Sequence, residues 1–482
     1  MYKNNNNMEK KKVFLVGIKG VAMTAMAIYL KQEGYDVTGS DVSDIFPTDE
    51  ILKSNNIRIK PGFKPSNINK NYNLVIATGA HGGMTNIEMI TAKKLGIPVL
   101  MHGQMLGQLM SDKEGISVAG CHGKTTTSAL VASILTHANY DPSYAIGSAM
   151  INDLGPAGHF GKGQFFIAEA DEYMTCPQTC PTPRFLWQKP KILILTNIDY
   201  DHPDAYKNID QIKMAYIKLI AQMPSDGIVI VNKDNRYISE LLPIIDKKII
   251  TYGFSPKADY RIDDYYFGNG ISIMKVCHEN IMLGEYPIYI PGKHNLLNAL
   301  AAGIAANIVG ISWDKISKCY RFYKGTKRRF EYIYKKEGIM LYDDYAHHPE
   351  EINATLSSVK EWFPKKRIIV IFQPHTYSRT KALLSEFSRC FKNADMSLIT
   401  DIYPSARERF DSSISSKILT IEINKYKNNS YYFGKKEHLI DFLKDEIRNN
   451  DFILTMGAGN IYLWHPEIVK IINDVSKRIT IN

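Results

Sequence analysis

The stretch Gly120-Cys121-His122-Gly123-Lys124-Thr125-Thr126-Thr127 constrains this chain more than any other. The apolar run Ile116-Ser117-Val118-Ala119 precedes it, and Ser128 to Leu135, apolar enough for a buried helix, follows. A strand, a glycine turn and a helix N-terminus in that order aim successive backbone N–H groups and the positive helix end at one place, where phosphate can sit. Val118 stands where the usual phosphate-loop pattern has its first glycine, so the spacing kept is Gly120-x-x-Gly123-Lys-Thr. Lys124 supplies a charge for the β- and γ-phosphates, and the Thr125 hydroxyl is placed to hold Mg²⁺. A bare Gly-Lys-Thr would be an ordinary glycine turn. The strand before it and the helix after it make nucleotide binding the reading.

At 482 residues the chain exceeds one comfortable core, which predicts about three domains. A hydrophobic content of 45% with 22% charged residues describes a soluble globular protein, and no apolar run approaches the length of a membrane span. Residues 1–12 are polar, asparagine-rich and basic, and no secretory apolar segment follows. They are expected to form a disordered tail on a cytoplasmic protein. The formal net charge is +10, yet its basic residues are dispersed apart from short groups such as Lys327-Arg328-Arg329. With no basic-aromatic tract, nucleic acid is not an expected partner. Cys176 and Cys180 are half a zinc site with no second pair at metal spacing, so the six cysteines are expected to be free thiols.

Val13-Phe14-Leu15-Val16, the turn Gly17 to Met23, a helical stretch and Val37 to Asp41 read as the opening βαβ unit of a doubly wound domain spanning residues 13–113. Asp41 is positioned for a ribose hydroxyl. The dinucleotide fingerprint is incomplete at Lys19 and Ala22, which weakens an NAD oxidoreductase as a candidate. Leu74 to Thr78 runs into Gly79-Ala80-His81-Gly82-Gly83, a glycine-rich strand end. In the second domain, residues 114–323, two strands end in Glu169-Ala170-Asp171-Glu172 and Asn197-Ile198-Asp199-Tyr200-Asp201-His202. Parallel strands would align these tips beside the phosphate loop, where carboxylate and imidazole can hold metal. Asn295 and Asn298, at the head of an alanine-rich helix, suit base or ribose recognition, although Asn is also a common cap. In residues 324–482 four more strand ends carry polar or glycine-rich tips, with His347, His348, His375 and Arg379 among them.

The phosphate loop, Glu-Ala-Asp-Glu, Asn-Ile-Asp-x-Asp-His, His-Asn-x-x-Asn (294–298) and Asp-Asp-Tyr-Ala-His-His-Pro (343–349) follow one another in an order that resembles the Mur ligase family. The resemblance runs from roughly residue 12 to the C-terminus. It implies three doubly wound α/β domains: a Rossmann-like UDP-binding domain, a central P-loop ATPase-like domain and a C-terminal Rossmann-like domain. It further implies ATP, Mg²⁺, a UDP-sugar carboxylate and an incoming amine. A carboxylate is a poor electrophile, so it would first become an acyl phosphate. Positioning and charge neutralisation serve that step.

By the same resemblance Lys124 would stabilise the transferring phosphoryl group, with Gly120, His122, Gly123, Thr125, Thr126, Asn295 and Asn298 around ATP. Thr125, Glu169 and His202 would hold metal, and Arg329 would reach the phosphates. Gly17, Gly20, Asp41 and His81 would hold the UDP-sugar. Tyr345, His348, His375 and Arg379 would hold the amino acid, Arg379 pairing with its carboxylate. Residues 372–380, 401–404 and 455–459 resemble the members that join L-alanine to UDP-N-acetylmuramate. The longer stretch Tyr173–Lys191 looks like that of members attaching L-Ala-γ-D-Glu-diaminopimelate. A nucleotide-binding regulator without ligase activity is the other class considered, and a monomer or homodimer is expected.

Overall fold

The computed structural model describes residues 10–200, 205–268, 270–404, 408 and 410–481. Residues 1–9 of the expected tail and His202 lie outside them. The chain divides into two compact units. One comprises Met1–Tyr265, Met274–Pro287 and Leu296–Lys324; the other comprises Tyr266–Ile273, Ile288–Asn295 and Gly325–Asn482.

In the first unit, β1 (Lys12–Val16), β2 (Asp36–Asp41), β3 (Arg58–Pro61), β4 (Leu74–Ala77) and β5 (Val99–Met101) form a parallel sheet in the order β3-β2-β1-β4-β5. Val13 to Val16 and Val75 to Ala77 are buried, as central strands covered on both faces must be. The strand order reverses between β1 and β4, which opens a ligand crevice at their carboxyl ends. The turn from Gly17 and the loop from Gly79 both leave from that crevice. Behind it, the helix Val21–Glu33 buries Met23, Met26 and Tyr29 against Ala145, Ala149 and Phe166 of the next sheet.

That sheet contains β6 (Glu114–Ala119), β7 (Ser143–Ile151), β8 (Gly155–His159) and β9 (Phe165–Ala170). A separate antiparallel hairpin follows, β10 (Met174–Cys176) with β11 (Cys180–Pro183). The sheet continues with β12 (Ile192–Leu195), β13 (Ile228–Asn232), β14 (Lys248–Gly253), β15 (Tyr260–Gly268), β16 (Ile271–His278) and β17 (Ile281–Ile288). Its order is β17-β16-β15-β14-β13-β12-β6-β9-β7-β8. Parallel register sets Ala119 beside both Ala170 and Leu195. The phosphate loop and the two acidic strand ends therefore leave the sheet side by side, as expected from the sequence.

The hairpin is held by the first sheet rather than projecting from the second. A Cβ on Gly79 would fall 2.2 Å from the Thr175 carbonyl oxygen, and one on Gly83 would fall 2.5 Å from Cys176 Sγ. The Trp187 backbone carbonyl lies equally close to Gly107 of the helix His102–Ser111, and the indole N–H donates to Thr175 Oγ1 at 2.9 Å. Cys176 and Cys180 pack in one apolar cluster with Phe14, Val75 and Met101. Both are free, and among the described residues neither joins a cluster with metal-ligand spacing.

The second unit carries β18 (Glu331–Lys336), β19 (Ile339–Asp344), β20 (Arg367–Phe372), β21 (Met396–Thr400), β22 (Ser430–Phe433) and β23 (Asp451–Met456), in the order β18-β19-β23-β20-β21-β22. Only β18 is antiparallel to its neighbour. β23 is buried throughout and β20 almost so, because apolar clusters cover both faces of the sheet. The tips of β19, β20, β21 and β23 form one rim.

Gly79→Ala should cost about 1–3 kcal/mol, the usual penalty for overpacking a tight contact. The expected readout is a lower urea midpoint with an unchanged slope. A wild-type midpoint would contradict the packing of the hairpin on this loop.

Candidate active site

Gly123 adopts left-handed backbone (φ 81°) as the N-cap of the helix Lys124–His137. A Cβ there would come within 2.6 Å of the buried Asn298 Oδ1. The tip of β12 fixes the rest of the loop. Asn197 accepts the His122 N–H at 2.9 Å and donates to the His122 carbonyl at 2.9 Å, while the Thr196 hydroxyl donates to the same carbonyl at 2.7 Å. Sequence reasoning did not single out Asn197 or Thr196 as loop clamps.

Lys124 folds over this frame. Its Nζ donates to the Gly120 carbonyl at 2.5 Å, the Cys121 carbonyl at 3.2 Å and Glu172 Oε2 at 2.9 Å. Burial works against the ammonium, but the Glu172 and Asp171 carboxylates outweigh it and raise its pKa. Lys124 is thus a lasting cation at neutral pH. Its counter-ion Glu172 is 1% exposed and was legible only as the last letter of the Glu-Ala-Asp-Glu run.

Thr125 and Thr126 are half-buried in the first turn of that helix. Glu169, also half-buried at the end of β9, accepts the Gly147 N–H on Oε1 at 2.7 Å. Ligand atoms of His122 and Asp199 lie within 4.8 Å of each other. Hydroxyl and carboxylate oxygens such as those of Thr125, Glu169 and Asp199 are the donors that a hard cation such as Mg²⁺ prefers. Asn295, in the first turn of the helix Lys293–Ile308, donates its side-chain amide to the Pro291 carbonyl at 2.7 Å, which ties the helix to the chain that enters it.

The four residues expected to hold the UDP-sugar are brought around one crevice. Asp41 is buried and accepts the N–H groups of Lys19 on Oδ2 at 2.7 Å and of Val42 on Oδ1 at 2.8 Å. It thereby shapes the turn that contains Gly17 and Gly20. His81 Nε2 lies 3.7 Å from Asp41 Oδ1, and a Cβ on Gly17 would be 3.4 Å from the His81 ring.

In the second unit Arg328, 7% exposed, ties two strand tips together. Its Nε donates to Asp343 at 2.9 Å, Nη1 to the Gly459 carbonyl at 3.0 Å and Nη2 to the Gly457 carbonyl at 2.6 Å. Arg329, expected to reach phosphate, lies over the Tyr345 ring at 5.3 Å from its centroid. Asp344 accepts the N–H groups of Phe330 at 3.0 Å and Ala346 at 2.7 Å, which fixes the loops bearing Arg329 and Tyr345. Burial pushes its carboxyl up to about 6, against the pull of Arg329.

Arg379 Nη1 donates to His375 Nδ1 at 3.3 Å. A guanidinium only donates, so His375 is the neutral tautomer with its proton on Nε2. The two residues meet because Thr376, at φ 70°, starts the helix Tyr377–Ala382 in an unusual conformation for a β-branched residue. Glu408 accepts the next two N–H groups, of Tyr377 and Ser378, at 2.7 Å each. His347 completes the cluster: its ring lies 5.3 Å from Tyr345 and 5.9 Å from His375. His348, the histidine singled out from sequence, instead accepts the Glu350 N–H at 3.4 Å and caps the helix Pro349–Trp362.

The chain matches the catalytic domain of the Mur ligase family over residues 12–114, the Mur ligase middle domain over 118–306 and the glutamate ligase domain of Mur ligases over 328–459. A UDP-N-acetylmuramate–L-alanine ligase of Caldanaerobacter subterraneus subsp. tengcongensis is 40% identical over 460 residues, covering 95% of this chain and 97% of that one. The structure of the UDP-N-acetylmuramate–alanine ligase of Thermotoga maritima superposes with a TM-score of 0.81 at 26% identity, covering 96% of this chain and 99% of that one. A murein peptide ligase of Psychrobacter arcticus shares the fold, with a TM-score of 0.70 at 22% identity over 96% of this chain and 99% of that one.

The imidazoles of the second unit yield a pH prediction. Burial, aided for both rings by the Arg379 charge, lowers His347 and His375 from 6.5 to about 4. Their contribution to stability is fully present above pH 6.5 and is lost as pH falls through about 4. Asp344, raised, contributes stability that is present below 3.8 and lost as pH rises through about 6. Histidine Cε1–H resonances should therefore show the rings of His102, His347 and His375 still neutral near pH 5, the last two missing from the double variant. The urea midpoint of a His347→Gln, His375→Gln variant should fall less steeply than wild type between pH 6.5 and 4. Titration of both rings near 6.5 would contradict the buried geometry.

Proposed function

The chain belongs to the Mur ligase family, and from that premise we propose that it joins L-alanine to the carboxylate of UDP-N-acetylmuramate, using ATP and Mg²⁺, through an acyl phosphate. One observation carries this reading. A lasting lysine cation sits on a clamped phosphate loop, in a chain that resembles L-alanine-adding relatives along nearly its whole length. The oxidoreductase alternative leaves that second nucleotide site without a purpose. A regulator without chemistry leaves the Arg379–His375 pair without one.

The residues divide the work as follows. The crevice around Gly17, Gly20, Asp41 and His81 holds the UDP moiety. The N–H groups of Gly120 to Thr126 and the Lys124 ammonium cradle the phosphates, and the charge that develops in phosphoryl transfer falls on Lys124. Thr125, Glu169 and His202 would hold Mg²⁺, which neutralises phosphate charge when bound. Asn295 and Asn298 face the nucleotide, and Arg329 supplies further positive charge. Arg379 pairs with the alanine carboxylate while His375 orients the guanidinium, and Tyr345 and His347 complete that pocket, His348 holding the helix start beside it. The Tyr173–Lys191 stretch is engaged by the UDP-binding sheet, which favours a small acceptor over one that needs this stretch as a peptide arm.

Phosphate should appear from ATP only when UDP-N-acetylmuramate and an acceptor amino acid are both present. Lys124→Ala should lower that rate on the order of a hundredfold or more, because one contact to developing charge contributes roughly 2–4 kcal/mol. Turnover near wild type would remove the loop from the mechanism.

Arg379→Lys should raise the KM for L-alanine sharply and leave that for UDP-N-acetylmuramate nearly unchanged, because an ammonium cannot replace a bidentate fork. Competition among L-alanine, L-serine, glycine and L-Ala-γ-D-Glu-diaminopimelate, with products identified by mass, should give the alanyl product. An excess of tripeptide product would overturn the choice of acceptor.

A further inference from the structure

The reaction proposed above requires the carboxylate of a substrate held by its UDP on the first sheet to reach a phosphoryl group at Lys124. Arg184 stands between these two places. It opens the short 3-10 turn Arg184–Trp187, inside the stretch Tyr173–Lys191. Its Nη1 donates to Asp171 Oδ2 at 2.7 Å, at the tip of β9. Its Nη2 comes within 3.6 Å of the point where a Cβ on Gly79 would stand, at the tip of β4. One planar cation therefore borders both strand-end rims.

One electrostatic observation agrees with this placement. Arg184, after burial, helps push His102, at the head of the helix after β5, down from 6.5 to about 4. Trp187 packs the turn on Gly103 and Gly107, which restrains the backbone that carries the guanidinium. The side chain itself is 28% exposed, so solvent and ligand can reach it.

We propose that Arg184 is a substrate-positioning residue whose guanidinium binds an anionic oxygen of UDP-N-acetylmuramate and steers the carboxylate toward the phosphate loop. The proposal rests on the reading of the donor given under Proposed function. A guanidinium fork matches a carboxylate and a diphosphate equally well, so both are sources of that oxygen. The alternative is a purely structural tether between the turn and β9. Asp171→Asn breaks that tether while leaving the guanidinium in place. It also keeps an oxygen for the Tyr173 N–H, which Asp171 Oδ1 accepts at 3.0 Å.

The test compares full-length wild type, Arg184→Met, Arg184→Lys and Asp171→Asn. Arg184→Met should raise the KM for UDP-N-acetylmuramate about tenfold or more, as loss of a charge-assisted contact does. The KM values for ATP and L-alanine and the thermal midpoint should stay near wild type. Arg184→Lys should recover part of the loss, and Asp171→Asn should keep the KM for UDP-N-acetylmuramate within about twofold of wild type, whatever it does to turnover. Calorimetry with UDP, UDP-N-acetylglucosamine and UDP-N-acetylmuramate separates the two sources. A loss confined to UDP-N-acetylmuramate identifies the carboxylate, and a loss with all three identifies the diphosphate. Unchanged donor affinity in Arg184→Met would overturn the proposal, as would an equal loss in Asp171→Asn accompanied by a lower midpoint. Wild-type protein that binds no UDP-sugar would overturn the underlying reading and this inference with it.

Discussion

The register of β6 between β9 and β12 is the constraint on which the rest of the first unit depends. With Ala119 level with Ala170 and Leu195, three chain segments leave the sheet at one height. Only then can Asn197 hold both backbone groups of His122 and Glu172 meet Lys124. A slip of one residue would turn every side chain on the shifted strand to the opposite face and dissolve the site. The buried ion pair is a demanding device, because removing either partner strands a charge in a poorly solvated place. Its use here is to keep the ammonium charged and stationary over the loop. A lysine on a mobile surface would pay for immobilisation during the reaction, and this one does not.

The second unit solves the same problem with an arginine. Arg328 is spent on Asp343 and on the carbonyls of Gly457 and Gly459, so the tips of β19 and β23 are locked together. Arg328 and its neighbour Arg329 both lie over the Tyr345 ring, at 5.2 and 5.3 Å from its centroid, and Arg328 is the one bound to the strand tips. The Lys-Arg-Arg-Phe run by itself carries no mark of which is which.

The sheet order, the phosphate loop and the alignment of acidic strand ends were legible in the sequence because they follow from local apolar runs and turn chemistry. Partners were less legible. The glycines at 79 and 83 announce a close approach, and the approaching groups are the Thr175 carbonyl and Cys176 Sγ rather than a ligand alone. A glycine states that space is short and not what fills it. His347 and His348 show a different limit. The helix beginning at Pro349 takes His348 as its cap and leaves His347 to face His375, a choice made by one step of backbone direction. Glu172 was visible within its motif, but its bond to Lys124 spans 48 residues and needs the register of the sheet.

The stretch Tyr173–Lys191 draws these points together. In sequence it is an insertion of cysteines, prolines and aromatics whose length invites an arm for a larger acceptor. In the structure its hairpin fits over the β4 loop, its tryptophan over a glycine-lined helix, and its arginine on the acidic tip of β9. Close glycine contacts with backbone atoms leave little room for sliding, since a well-packed surface has few alternative arrangements. The stretch therefore joins the sheet that bears the Gly17 and Gly79 turns to the sheet that bears the phosphate loop, within one unit. A donor held across that joint would meet a fixed distance between its nucleotide crevice and the phosphate loop. Precision of that kind is what an activated carboxylate needs, because a reacting pair misplaced by about 1 Å can lose roughly a hundredfold in rate.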